Sequence, residues 1–297
     1  MFQFFVDTVL RASDLALIAL GLSLVYGLVK FPNIAHVQYA MVGAYVTYAL
    51  YAAGVPLAAA ILASSLLTGA LTLALHLMVF RRLLRSGPAI ALIGSLAVSM
   101  LVVAFAQGFA GSFPRMFNLP VAQSLVIGDA HISPTQLYAV STTVVLLALV
   151  SLLLFYTRTG RAMRALSCNP ALAAASGLNA EAITRLVNFS SGAIAGLGGS
   201  MLALSTGAHI QLGHDLLLPV FAAAILGGLG NPLGAVAGAV LIALTETLVT
   251  NLNVGWMVGK SVAFLPVAYI SAASFLILLL ALLFKPYGLF DREVRRV

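Results

Sequence analysis

The chain has 297 residues, 62% of them hydrophobic and 8% charged, with a mean hydropathy of +1.09. Soluble domains carry about 25% charged residues, so this composition excludes a water-soluble globular protein and indicates an integral membrane protein. The formal net charge of +7 does not argue for a nucleic-acid partner, because the basic residues gather in the gaps between apolar runs.

Arg81, Arg82 and Arg85 form one such cluster, and Arg158, Arg161 and Arg164 a second. Lys285, Arg292, Arg295 and Arg296 form the third. Loops rich in Lys and Arg stay in the cytosol, so all three clusters and the C-terminus are expected there. The apolar runs are nearly continuous, which predicts a single membrane domain over residues 1–297 with short loops. The single Cys168 excludes an intramolecular disulfide and falls in an expected cytosolic loop. The first residues lack a basic segment and a small-residue cleavage site, so no removable signal peptide is expected.

The first apolar run covers about 15–29. Asp7, Arg11 and Asp14 precede it, a slight acidic excess that favours a periplasmic N-terminus. Arg11 and Asp14 are spaced to meet on one helix face, although two charges at the headgroup level is the simpler expectation. Residues 25–50 then contain Lys30, Pro32, Asn33, His36 and Gln38, which interrupt the apolar pattern. The stretch reads either as an ordinary short loop or as irregular backbone at membrane depth, which survives only where protein or water satisfies its polar groups. Asn33 is suited to cap the following helix, and His36 alone reads as a hydrogen-bonded packing residue.

Further runs cover 55–80 and 88–109, and His76 is expected at the interface near the cytosolic end of the first. Residues 111–132, with Asp129 and His131, read as a periplasmic loop. Ser133-Pro134-Thr135-Gln136 is a helix start with Ser as cap, Pro at the first position and Gln reaching back. The span that follows ends near Tyr156.

Residues 158–185 form a polar island between two long apolar runs. Asn169 followed by Pro170 predicts a capped helix start, and Ala171 to Ser176 a short helix. Gly177 suits a left-handed stop, and Asn179, with Glu181 behind it, a cap for the span at 182–204. A loop serving only as a connector needs no helix of its own, so this one is read as a contact surface. Gly192, Gly196, Gly198 and Gly199 indicate close helix packing. His209, His214 and Asp215 supply no fourth ligand for a metal and read as solvated loop residues.

The second interruption falls at Gly227-Gly228-Leu229-Gly230-Asn231-Pro232. Residues 217–226 are too short to span, so a half-helix, a turn and a returning helix are expected, with Gly230, Gly234 and Gly238 along one ridge. Glu246 is the most deeply placed carboxylate. The last span is expected at 261–284. The two interrupted stretches hold corresponding places in the two halves, which in transporters points to a translocation path. Gly259-Lys260-Ser261 imitates a phosphate-binding loop but has Val254 where the first glycine belongs, so no ATPase site is expected. The spans also lack pairs of buried acids, or acids with Arg, of the sort an ion-driven carrier uses. No nucleophile or metal spacing indicates an enzyme.

At this point the residues carry a resemblance. VYGLVKFPNIAH at 25–36, TGRAMRALSCNPALAAASGLN at 159–179 and AAAILGGLGNPLGAVAGAVLIALTE at 222–246 make the chain similar to the LivH-type permeases of bacterial branched-chain amino-acid ABC transporters, over nearly its whole length. The resemblance implies an all-α polytopic bundle of about eight membrane segments, some interrupted or re-entrant, in the bacterial inner membrane. It implies that 157–181 is a coupling-helix loop received by a cytosolic ATPase, with Asn169, Pro170, Ala173, Gly177 and Asn179 shaping the contact and Arg161 and Arg164 flanking it. It implies as partners a second homologous permease, two ATPase subunits that bind ATP and Mg, and a periplasmic binding protein, with no cofactor in this chain. Asn33, His36 and Gln38, with Gly227, Gly228, Gly230, Asn231 and Gly234, are the candidates for lining or gating the path. Val37 and Gln38 stand where many relatives have Gly and an acid, and Asn231 replaces a common Ser, so urea, short amides or aromatic acids are alternative cargoes.

Overall fold

The computed structural model describes residues 2–119, 125–127, 130–252, 269–285 and 288–290. It is a helical bundle with one small hairpin. α1 (Phe2–Val29) is followed by α2 (His36–Ala52) and α3 (Leu57–Leu75). α3 runs on through a π turn (His76–Phe80), the single turn α4 (Arg81–Leu83) and a 3₁₀ turn (Leu84–Ser86) into α5 (Pro88–Ala110). After strands β1 (Leu125–Ile127) and β2 (Ala130–Ile132) come α6 (Pro134–Tyr156), α7 (Arg158–Cys168) and α8 (Pro170–Ala175). α9 (Ala180–Thr206), α10 (Leu212–Gly227), α11 (Pro232–Asn251) and α12 (Tyr269–Phe284) complete the order.

Among the described residues six helices are long and apolar enough to cross a membrane, and α10 and α12 are shorter apolar helices. This agrees with the expected eight segments. The hairpin, with Leu125 opposite Ile132, is a small addition to the all-helical expectation. Asp129, the Gly259-Lys260-Ser261 motif, the start of the last span and Arg292, Arg295 and Arg296 lie outside the described residues.

Two helices form the centre. The most apolar windows of α1 and α9 are each 78% buried, against 22% for α5 and 17% for α6, so α5 and α6 carry the outward apolar faces. α1 packs along α11, and α9 against α2 and α3. The small residues of α9 allow this: a Cβ on Gly199 would stand 2.0 Å from the Ala40 carbonyl oxygen of α2. Where the three helices meet, the hydroxyls of Thr47, Ser64 and Ser200 join at 2.6–3.1 Å, a polar tie of the kind that holds helices together in lipid.

The helix ends follow local chemistry. Ser133 caps α6 through its side chain while Gln136 returns to the Ser133 amide, as the sequence predicts. α1, by contrast, begins far before residue 15. Two of its charges find partners along the helix or across it: Gln3 donates to Asp7 at 2.6 Å, and Arg11 reaches Glu246 of α11 at 2.6 Å. Glu246 also accepts from the Ser274 hydroxyl of α12. Arg11 therefore pairs with Glu246 and not with Asp14, and the expectation that no acid pairs with an arginine inside the spans is corrected. Their separation of 235 positions hid the pair from any local pattern.

Candidate functional site

The polar island is built in two pieces, where the sequence suggested one. Thr157 caps α7 by accepting from the Gly160 amide at 3.1 Å. Gly160, Met163 and Leu166 are buried on one face of α7. Gly160 lies so close to α6 that a Cβ would come 2.2 Å from the Leu154 carbonyl oxygen. The last carbonyls of a helix have no partner within it and carry its negative end. Here Arg164 donates to the Leu154 carbonyl and lies 5.5 Å over the Phe155 ring, and Arg161 donates to the Tyr156 carbonyl at 3.4 Å. The two arginines thus fold back to seal the end of α6.

α8 stands outward from this base. Asn169 accepts from the Leu172 amide at 3.0 Å, and Pro170 occupies the first turn, where a missing N–H costs nothing. The helix stops in a double carbonyl cap: the Gly177 amide donates to Ala174 at 3.0 Å and the Leu178 amide to Ala173 at 3.1 Å. This closure needs a left-handed residue, and Gly177 has φ +81°. Asn179 then caps α9 by accepting from the Ala182 amide at 3.0 Å. Ala173 is the buried residue of α8, while Leu172 is 65% exposed. Asn169, Pro170, Ala173, Gly177 and Asn179 therefore frame one short exposed helix, as read from the sequence.

The first interrupted stretch is irregular backbone within the bundle. Lys30 has φ +57° and turns the chain back along α1. His36 Nε2 then meets the Ile18 carbonyl oxygen at 3.2 Å, about 16 Å up α1 from Val29 by the 1.5 Å rise per residue. α2 thus starts deep in the bundle, and its leading backbone is satisfied by protein. The Ile34 amide donates to Ser95 Oγ at 3.0 Å, and Asn33 Oδ1 accepts from the Ala35 amide at 3.1 Å. Asn33 closes a local turn ahead of the helix and does not serve as its cap. His36 is a buried, hydrogen-bonded packing residue, in van der Waals range of Gly21, with its Nδ1 3.5 Å from the Ser191 hydroxyl. Gln38 is also buried, beside Gly213 of α10, and its Oε1 has no hydrogen-bond partner among the described residues.

At the second interruption α10 ends at Gly227, and Gly228 and Gly230 have φ +97° and +92°. A Cβ on Gly227 would stand 2.0 Å from the Gly234 carbonyl oxygen, and one on Gly234 would stand 2.1 Å from that of Gly227. The half-helix and its return are thus in direct backbone contact. Asn231 caps α11 by accepting from the Gly234 amide at 3.1 Å. Gly230 belongs to the turn and not to the helical ridge, because α11 starts only at Pro232.

The structure keeps the 33–38 group apart from the glycine turn in depth, and joins the turn to the island. Gly27 is the meeting point. Its carbonyl accepts from Ser167 Oγ of α7 at 2.9 Å, and the position of its absent Cβ is 3.3 Å from the Gly230 carbonyl oxygen. A cavity of about 260 Å³ lies between them, bounded by Met163, Arg164, Ser167, Gly230, Asn231 and Pro232 among others. Neither Gly27 nor Ser167 was singled out in the sequence, since each is a small residue within a longer motif. The remaining polar candidates form no centre. His209 Nε2 is 3.5 Å from Asp215, His214 is exposed, and no group of three metal-ligating side chains occurs among the described residues.

The chain is 30% identical to the high-affinity branched-chain amino acid transport system permease protein LivH of Salmonella typhimurium, over 96% of this chain and 94% of that one. It is 29% identical to the probable branched-chain amino acid transport permease protein LivH of Methanocaldococcus jannaschii, over 95% and 90%. Its fold is similar to that of PsaBC from Streptococcus pneumoniae in complex with Fab, at a TM-score of 0.52 with 12% identity, covering 97% of this chain and 94% of that one. A family model described as branched-chain amino acid transport system / permease component matches residues 4–284, and the chain belongs to that family.

Proposed function

We propose that this chain is the membrane-spanning permease subunit of an ATP-driven importer in the bacterial inner membrane, and that its cargo is a branched-chain or related amino acid. The observation that carries the reading is α8. A polytopic membrane protein has no need of a capped, exposed helix outside its spans unless another molecule receives it, and α7 anchors this one to α6 and α1. In this reading α8 enters a groove on a cytosolic ATPase, two of which bind ATP and Mg and hydrolyse the nucleotide. A second, homologous permease completes the path, and a periplasmic binding protein selects and delivers the amino acid. The C-terminus is cytoplasmic and the N-terminus periplasmic.

The mechanism is alternating access. ATP-driven closure of the partners displaces α8, and α7 carries the displacement to Gly27 and the glycine turn. Gly227, Gly228, Gly230, Asn231 and Gly234 act as a hinge of low steric bulk, while Asn33, His36 and Gln38 hold the re-entrant start of α2 beside the path. The Gln38 amide oxygen is one of four buried polar atoms without a partner among the described residues, and is a candidate contact for cargo or water. The cargo class follows the curated relatives, whose names carry branched-chain amino acid transport.

Gentle affinity purification from native membranes, with co-purifying chains identified by mass, tests the proposal. The expected result is a stoichiometric ATPase pair that is lost with Gly177→Pro. A chain that purifies alone and moves solute in ATP-free vesicles would overturn it in favour of a stand-alone carrier.

A further inference from the structure

The π turn at the end of α3 opens a cavity unconnected with α8. Single π turns inside α-helices recur at functional sites. Here the turn places His76 on the wall of a cavity of about 380 Å³, with Arg81, Glu181 and Thr184 on the polar side and Leu28, Val29, Leu77 and Leu84 on the apolar side. His76 is only 7% exposed, and its imidazole has no hydrogen-bond partner among the described residues. On the cavity wall the imidazole offers a donor or an acceptor to whatever enters.

The charges at the rim are unbalanced in a definite sense. Arg81 Nη1 approaches Glu181 Oε1 at 3.0 Å, and Arg185 donates to the same oxygen. Two guanidinium groups, Arg81 in the lining and Arg185 behind Glu181, therefore share one carboxylate oxygen, and the three side chains together carry one positive charge in excess. A zwitterion would need a free acid for its ammonium group, and the acid here is already shared by two cations. An anion is the better match.

We infer that this cavity is a binding site for the headgroup of an anionic phospholipid, such as phosphatidylglycerol, from the leaflet on the α8 side. The free N–H face of Arg81, with the His76 imidazole, meets the phosphate, and Arg185 adds its charge from behind Glu181, outside the lining. Leu28, Val29, Leu77 and Leu84 meet the start of an acyl chain. Basic pockets between membrane helices hold such headgroups on the same physical grounds. A lipid seated here spans the end of α1, the end of α3 and the start of α9, and so braces the helix that leaves the island.

The test uses the full chain with its co-purifying subunits in nanodiscs of phosphatidylcholine doped with phosphatidylglycerol. Lipid retained on release is counted by native mass spectrometry. Phosphatidylglycerol is expected to be retained in preference to phosphatidylcholine, with a loss of about fivefold in Arg81→Gln, the effect of one cation near an anionic surface. Glu181→Gln is expected to raise retention, because it frees both guanidinium groups. A network that matters only for folding would lower retention in both variants, which would overturn the site. Equal retention of the two lipids would do the same. Displacement of the lipid by millimolar inorganic phosphate would reassign the cavity to a free anion and end the lipid proposal. His76→Leu, which keeps the bulk and removes the ring nitrogens, provides a second arm if Glu181→Gln does not fold, and unchanged retention in it would count against the site.

Discussion

Ser167 of α7 donates its hydroxyl to the backbone carbonyl of Gly27, 2.9 Å away, across the junction between the island and the first membrane helix. The backbone of Gly230 also stands against Gly27. The contact surface and the glycine turn, separate in sequence, thus share one residue of α1. Ser167→Ala keeps α7 and α8 folded and removes only this link. A net hydrogen bond contributes about 1 kcal/mol, so transport per ATP hydrolysed is expected to fall by about fivefold, with ATPase co-purification unchanged. The ratio of cargo uptake to phosphate release in proteoliposomes measures it, and an unchanged ratio removes Ser167 from the coupling route.

The contact between Gly227 and Gly234 leaves no room for a methyl group. Gly234→Ala is expected to destabilise the packing of α10 on α11 by about 1–3 kcal/mol, the usual cost of overpacking. Thermal unfolding in detergent reads the loss directly. Gly54→Ala is the contrasting control, because space around that position is open and its cost should be limited to backbone strain.

At Gly177 the surroundings are also open, so its φ of +81° is the whole constraint. An alanine there costs about 1–2 kcal/mol in the left-handed region, while asparagine tolerates it better. The affinity of the ATPase pair is therefore expected to follow the order Gly, then Asn, then Ala. Pull-down at graded detergent or salt gives that order. Equal affinity in all three variants would mean that the stop of α8 plays no part in the contact.

Arg11 and Glu246 pair at 2.6 Å, with the Glu246 side chain 2% exposed. Arg11 is 29% exposed, so removing it costs at most the roughly 3–5 kcal/mol of breaking a fully buried pair, whereas replacing both by apolar residues of similar volume is close to neutral. Arg11→Met alone is expected to lower expression and melting temperature sharply, and the Arg11→Met, Glu246→Met double variant to recover most of both. If the double variant recovers stability but not uptake, the pair is part of transport as well as packing.

The legibility of this chain follows the range of each interaction. The capping box at Ser133, the stop at Gly177 and the caps at Asn169 and Asn179 are settled within three or four residues, so they can be read from sequence. α7 was also readable in principle: Gly160, Met163 and Leu166 recur at helical spacing, but the interspersed arginines disguised them as a charged loop. Arg11–Glu246 and Ser167–Gly27 depend on which helices become neighbours, which no local pattern states. His76 belongs to the same class, because a π turn changes which face a residue takes without leaving a mark in composition. The Lys30-to-Gln38 stretch left two readings open, and only the depth of His36 beside Ile18 decided between them.

That depth bears on the order in which the protein is made. The His36 imidazole meets the carbonyl of Ile18, synthesised before it, and faces Ser191, far later in the chain, while the Ile34 amide just ahead of α2 donates to Ser95. Until α5 has left the ribosome the Ile34 amide lacks the Ser95 hydroxyl, and until α9 has left it the His36 imidazole lacks Ser191. The segment must therefore wait near the membrane surface, or beside a water-filled insertion site, and sink to its final level only once later helices arrive. A ribosome-stalled chain ending before α9 should leave residues 30–36 open to membrane-impermeant labelling that the completed protein excludes.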